Sequence, residues 1–166
     1  RVTGVQTCAL PIYVLDSVTM VWEAPDVHGD IPSSRFGHTC TAVDVMSDPR
    51  FFVLGGHNSK EALSDVHVFD METLSWHRPQ IHGEPPVCGN RHATVLLEDQ
   101  SAPENVALLV FAADMHETFD TLYALRIRDA KAGQVDGAMG WLELSTSGKA
   151  PLARARPCVG APGFGF

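Results

Sequence analysis

Residues 35 to 76, RFGHTCTAVDVMSDPRFFVLGGHNSKEALSDVHVFDMETLSW, carry the pattern that decides the fold. They begin Arg-x-Gly-His, and the apolar spacing predicts a strand over 38–45 and a second over 50–54, both rich in β-branched and aromatic residues. Gly55 and Gly56 are expected to turn the backbone where a Cβ would clash. A polar loop leads to a third strand over 65–70, in which Val66 and Val68 share one face and His67 and Phe69 the other. Asp70 to Thr73 then turn into a fourth strand carrying Trp76.

The same pattern recurs. Shifting the chain by 54 residues pairs Val14 with Val68, Asp16 with Asp70, Thr19 with Thr73, Trp22 with Trp76, Pro25 with Pro79, His28 with His82, Gly29 with Gly83, Pro32 with Pro86 and His38 with His92. Average residue usage would give about two such identities over a stretch of this size. A third copy, 65 residues further on, pairs Trp76 with Trp141, Gly83 with Gly148 and Pro86 with Pro151. A unit repeated in this way cannot cover its own apolar faces, so the copies must stack, and the three tryptophans are expected to pack between them.

The Arg-x-Gly-His start, the diglycine and the closing tryptophan resemble one kelch repeat, a four-stranded antiparallel blade of a β-propeller. The fold this resemblance implies is all-β, a partial kelch-type propeller. Kelch units run to about 50 residues and propellers have about 4–8 blades, so 166 residues hold about two complete blades with pieces on either side. The chain therefore reads as a fragment. Residues 13–34 supply the last strands of an incomplete blade and a linker, 35–89 a complete blade, 90–147 a diverged one, and 148–166 the start of a further blade or a disordered tail. Residues 1–12 stand apart, because Val2 to Ile12 resembles the translation of a sequencing-library adapter.

The second blade has Ala112-Ala113 for the diglycine, Gly89-Asn90-Arg91-His92 for Arg-x-Gly-His, and extra residues around 98–105 and 128–140. Its strands are expected at 106–111, 122–126 and 141–144. In the tail, Pro157 stands where a strand histidine should be, and the final GAPGFGF resembles no blade strand, so the native reading frame is in question there.

A net charge of −8 and a pI near 5.3 exclude binding that relies on neutralising phosphates, so no nucleic-acid partner is assigned. The longest apolar run, Val106 to Ala113, is too short to cross a bilayer, and no membrane partner is assigned. Cys40, Cys88 and Cys158 fall at unrelated points of the repeat with no C-x-x-C spacing, which suits buried thiols in a reducing compartment. A cytoplasmic location is expected, with the nucleus as the alternative.

Antiparallel neighbours sort the loops between two faces. The 57–64 and 113–119 loops emerge on one face with the linkers 23–36, 77–91 and 145–154. In kelch propellers that face commonly binds a partner protein or peptide, which is what the resemblance implies here. Rigid scaffolds place function on loops, so the candidate partner-binding residues are Arg35, His57, Asn58, Lys60, Glu61, Arg91, His116 and Glu117. For Arg35, which recurs as Arg154, the competing reading is an anchor for neighbouring backbone.

Histidines repeated once per blade, such as His38 and His92, are expected to serve each blade's own structure, and Asp65 and Asp70 to form strand-end turns. Glu61 and Asp65 keep part of the Glu-x-x-x-Asp-x-x-x-His pattern that resembles the iron site of kelch-type specifier proteins, but Phe69 takes the histidine's place. Without the full donor set no metal or cofactor is assigned. No G-x-S-x-G, H-E-x-x-H or phosphate-binding loop occurs, so no catalytic residue is assigned. The leading expectation is a protein-interaction module; the alternative is an enzyme or metal-dependent specifier with its active site at the propeller mouth.

Overall fold

The computed structural model describes residues 11–45, 48–86, 88, 92–98, 105–111, 122–128 and 139–148. These form β-strands and connecting turns, with no helix among them. A hairpin, β1 (Val14–Asp16) and β2 (Val21–Glu23), comes first. Next comes a sheet of β3 (His28–Gly29), β4 (Thr39–Val45), β5 (Asp48–His57), β6 (Ala62–Asp70) and β7 (Ser75–His77). The last sheet holds β8 (Ile81–His82), β9 (Ala93–Glu98), β10 (Asn105–Phe111), β11 (Leu122–Arg128) and β12 (Met139–Leu144). In each sheet four consecutive strands meander antiparallel, β4-β5-β6-β7 and β9-β10-β11-β12. These are the two expected blades.

Each blade also gains a fifth strand that was not expected. β3 pairs parallel with β7, and β8 pairs parallel with β12, in matching register: Gly29 lies opposite Trp76, and His82 opposite Gly140, one place before Gly83 and Trp141. The linker leaving one blade therefore runs along the outer edge of the next and satisfies its free backbone groups. This explains the repeated glycine. Gly29 and Gly83 adopt φ of +86° and +87°, and a Cβ on either would lie 2.2 Å or 3.0 Å from the carbonyl oxygen of the facing tryptophan.

Around the diglycine two boundaries differ from expectation. β5 does not stop before the diglycine but continues through it to His57, with an irregular register between Leu54 and Gly56. The positive φ of Gly55 (+62°) and Gly56 (+98°) builds a bulge rather than a turn, and β6 accordingly starts at Ala62, three residues early. Space also demands glycine there. A Cβ on Gly55 would press on Cys88 and His92 of the following blade, and one on Gly56 on Phe36 and His38.

The core lies between the sheets. Phe52, Leu54, Val66 and Val68 of the first blade pack with Val106, Leu108, Val110, Leu125, Met139 and Trp141 of the second. On the opposite face of the first blade, Val53, Phe69 and Trp76 form a second cluster with Val27 and Ile12. Ile12 closes the adapter-like stretch, yet it sits by Trp76 where the 54-residue register would put it, since Val66 holds the matching place by Trp141. Cys88 is fully buried in the joint, which pushes its thiol up to about 12 and leaves it unreactive.

Equivalent turns have equivalent chemistry. Asp16 Oδ1 accepts the backbone N–H of Val18 and Thr19, and Asp70 Oδ1 those of Glu72 and Thr73. Met20 and Leu74, 54 residues apart, both take positive φ (57° and 53°) to complete the hairpin. The Ala112-Ala113 substitution, residues 99–104 and 129–138 of the second-blade insertions, and the tail from residue 149 lie outside the described residues.

Candidate functional site

The linker that ends at Phe36 and the loop from β5 to β6 meet at one end of the first blade. Phe36 and His57 exchange both backbone hydrogen bonds, each 3.0 Å, which fastens the linker beside the strand end. The Phe36 and His57 rings lie 5.4 Å apart, tilted by 35°. The loop itself is tied down from within. Asn58 Oδ1 accepts the backbone N–H groups of Lys60 and Glu61, His57 Nδ1 accepts that of Ser59, and Asn58 N–H donates to the Glu61 carbonyl. Ser59 takes a φ of 73°, a left-handed conformation that this bonding holds in place. Lys60 and Glu61 are exposed at its tip.

Arg35 points the other way. It is buried, and all five of its N–H donors are used: Nε on the Ser33 carbonyl, one amino group on the Gly55 carbonyl and Asp65 Oδ1 (3.1 and 2.6 Å), the other on Ser33 Oγ and Asp65 Oδ2 (3.2 and 3.0 Å). His67 braces the arrangement by bridging the Asp30 carbonyl and Asp65 Oδ2. Burial alone would raise the Asp65 carboxyl. Hydrogen bonds from His67 and Arg35, with their charges, more than offset this and hold it well below the usual carboxylate range. Arg35 is thus directed into the blade, the anchoring role weighed from the sequence, and Asp65 is an ion-pair partner rather than the turn former expected.

Sequence reasoning missed this pair because its members lie 30 residues apart. A signal did exist. The 54-residue register of the linkers puts Gly89 at the Arg35 position, and the strand register that sets Phe69 opposite Trp76 and Leu125 opposite Trp141 puts Thr121 at the Asp65 position, so neither residue type recurs at its place in the second repeat.

The histidines also serve a different purpose from the one expected. His92 Nε2 lies 3.1 Å from the Leu54 carbonyl oxygen and 2.9 Å from Thr39 Oγ1, both in the first blade, so it joins neighbouring blades. Thr41 and Thr94 meet across the same joint, Oγ1 to Oγ1, at 2.8 Å. His38, the equivalent residue one blade earlier, has a buried Nδ1 without a partner among the described residues. Its burial, and secondarily the Arg35 charge, lower its pKa below the ordinary 6.5.

Next to the loop, a cleft of about 370 Å³ opens between the blades, lined by Ser64, Asp65, Arg78, Gln80, Ile81 and Trp141. Among the described residues no three His, Cys, Asp or Glu side chains are grouped to hold a metal ion, and Asp65 of the iron-like pattern is engaged by Arg35 and His67. The structure thus brings Arg35, His57, Asn58, Lys60 and Glu61 to one end of the blade, whereas Arg91, His116 and Glu117 lie outside the described residues.

Residues 3–162 match the KLHDC2/KLHL20/DRC7 Kelch-repeats domain. The chain belongs to the kelch-repeat family. Among curated relatives of this kelch chain, the Rab9 effector protein with kelch motifs of Bos taurus is 38% identical over 88 residues, covering 52% of this chain and 23% of that protein. Acyl-CoA-binding domain-containing protein 4 of Arabidopsis thaliana is 33% identical over 86 residues, 52% of this chain and 12% of that protein. Tip elongation aberrant protein 3 of Schizosaccharomyces pombe is 43% identical over 61 residues, 37% of this chain and 5% of that protein. The kelch chain thus spans less than a quarter of the length of these relatives.

Proposed function

We propose that this kelch chain works as a protein–protein interaction module in the cytoplasm, and that the loop of His57, Asn58, Lys60 and Glu61 presents the contact surface to a partner protein or peptide. One observation supports this most. The loop is held by its own hydrogen bonds and by the Phe36 bridge, yet Lys60 and Glu61 remain exposed on it. A loop ordered before binding loses little conformational entropy when a partner docks, which is how a rigid blade end gains affinity from few contacts. The bovine relative's description as a Rab9 effector is consistent with a protein as the partner.

The test is a selection of displayed random peptides on the immobilised chain, repeated with Lys60→Glu and Glu61→Lys. A consensus peptide that loses binding to either variant, but not to Glu72→Lys on the far turn, supports the proposal. No enriched peptide, or a consensus indifferent to the loop, overturns it.

A further inference from the structure

Phe36 is a large apolar side chain left in water: 51% of its surface is exposed, although its backbone is fixed on both sides. The carbonyl of Phe36 lies against Gly56, so the main chain here is part of the scaffold while the ring is not. The repeat makes the same distinction. The positions matching Phe36 are Asn90 in the second blade and Ala155 in the following copy, so an aromatic residue there is not part of the repeat. The ring is backed by the His57 imidazole and stands one strand away from the Asn58–Glu61 loop, which pairs back at Ala62 opposite His57. The adjoining Arg35 is buried and neutralised by Asp65.

Resting on the interaction reading above, we propose that Phe36 is the anchor of that surface and that it takes an arginine side chain of the partner peptide, the guanidinium lying on the phenyl face and reaching Glu61. Three observations favour arginine. An exposed aromatic face attracts a cation, and a planar guanidinium can stack on the ring while keeping its donors free for a carboxylate. Glu61 supplies that carboxylate on a loop already ordered. The chain's net charge of −8 draws a basic segment toward it at long range, whereas it repels an acidic one. Lys60, the one cation of the loop, works against the contact, so its removal should strengthen binding.

The experiment is a fluorescence-anisotropy titration of the chain with labelled nine-residue peptides taken from the displayed consensus and differing at one position, which is arginine, lysine, citrulline or leucine. Binding should be tightest for arginine. Phe36→Ala should weaken the arginine peptide by about three- to fivefold, Phe36→Tyr should restore it, and Lys60→Ala should tighten it. Because the ring is exposed, the melting transition of Phe36→Ala should match that of the parent chain, which separates lost contact from lost fold. Equal binding of the arginine, citrulline and leucine peptides, or an arginine peptide indifferent to Phe36→Ala, overturns this inference. If those peptides still depend on Lys60 and Glu61, the interaction reading survives without it. If no peptide binds, both fall.

Discussion

Trp22 and Trp76 occupy the same place in successive repeats, yet Trp22 is 65% exposed and Trp76 only 1%. Both sit on a short outer strand after the same aspartate turn. The difference lies in what stands beside them. Trp76 is covered by Phe69 and Val53 of its own sheet, with a ring-centroid distance of 5.0 Å to Phe69, and by Val27 and Ile12 from the preceding hairpin and linker. The hairpin carrying Trp22 is exposed along both strands. Burial in a blade array belongs to the stack and not to the residue, as expected when each repeat contacts only its neighbours.

The largest test of that contrast is Trp76→Ala against Trp22→Ala. Emptying the covered position should lower stability by about 3–5 kcal/mol, while the exposed position should change it by less than about 0.5 kcal/mol. Urea unfolding followed by far-ultraviolet circular dichroism would read both. Comparable losses would mean that the hairpin is packed as tightly as the blade.

A second contrast sets the two blades against each other. The first holds the Arg35–Asp65 pair, and the second has lost both partners. Asp65→Asn leaves a buried guanidinium uncompensated, and the expected loss is about 3 kcal/mol. Replacing Arg35 and Asp65 together by the glycine and threonine of the second blade should cost less than the sum of the single changes, because neither charge is then stranded. A strictly additive double mutant would show that the pair is not coupled.

Gly29 and Gly148 offer a smaller contrast of the same kind. Both are linker glycines with positive φ, but a Cβ at Gly29 would clash with the Trp76 carbonyl, whereas among the described residues nothing lies within 4 Å of one at Gly148. Gly148→Ala should carry at most the backbone cost of about 1 kcal/mol. Gly29→Ala should carry that cost plus the displacement of β3 from β7. Loss of hydrogen-exchange protection at Asp30, whose N–H donates to the Trp76 carbonyl at 2.8 Å, would report that displacement directly.

These pairs also show how far the sequence could be read. The stacking positions were legible because Trp, Gly and Asp recur at fixed spacing, and recurrence survives without any knowledge of the partner. β3 and β8 were not legible: they are two residues long, and their pairing is set by the path of the linker rather than by strand propensity. The diglycine was read correctly as a special backbone position but assigned to a turn, since positive φ at Gly55 and Gly56 serves a bulge equally well and only the partner strand decides. Of the candidate site, the exposed loop could be found from its polarity. The inward aim of Arg35 could not, because it depends on Asp65 and Gly55 arriving from other strands.

The mildest prediction concerns the two entering histidines. His92 Nε2 lies beside oxygens of the neighbouring blade, whereas His38 has its folded pKa lowered by desolvation and then by Arg35. A histidine whose folded pKa lies below its unfolded value binds a proton more readily when the chain unfolds, so stability rises with pH across that interval. The contribution of His38 should therefore be complete above about 6.5, its ordinary value, and fade as pH falls below it. Asp65 acts in the same direction but at lower pH, because its depressed carboxyl keeps its charge until well into the acid range. His38→Gln should remove the upper part of the pH dependence and leave the acid part, a small change because His38 is only half-buried and its charge is screened by solvent. Denaturant midpoints between pH 5 and 8 would show it. If His38→Gln left the profile unchanged, the burial of His38 would carry no proton linkage, and the contrast between the two histidines would reduce to their hydrogen bonds.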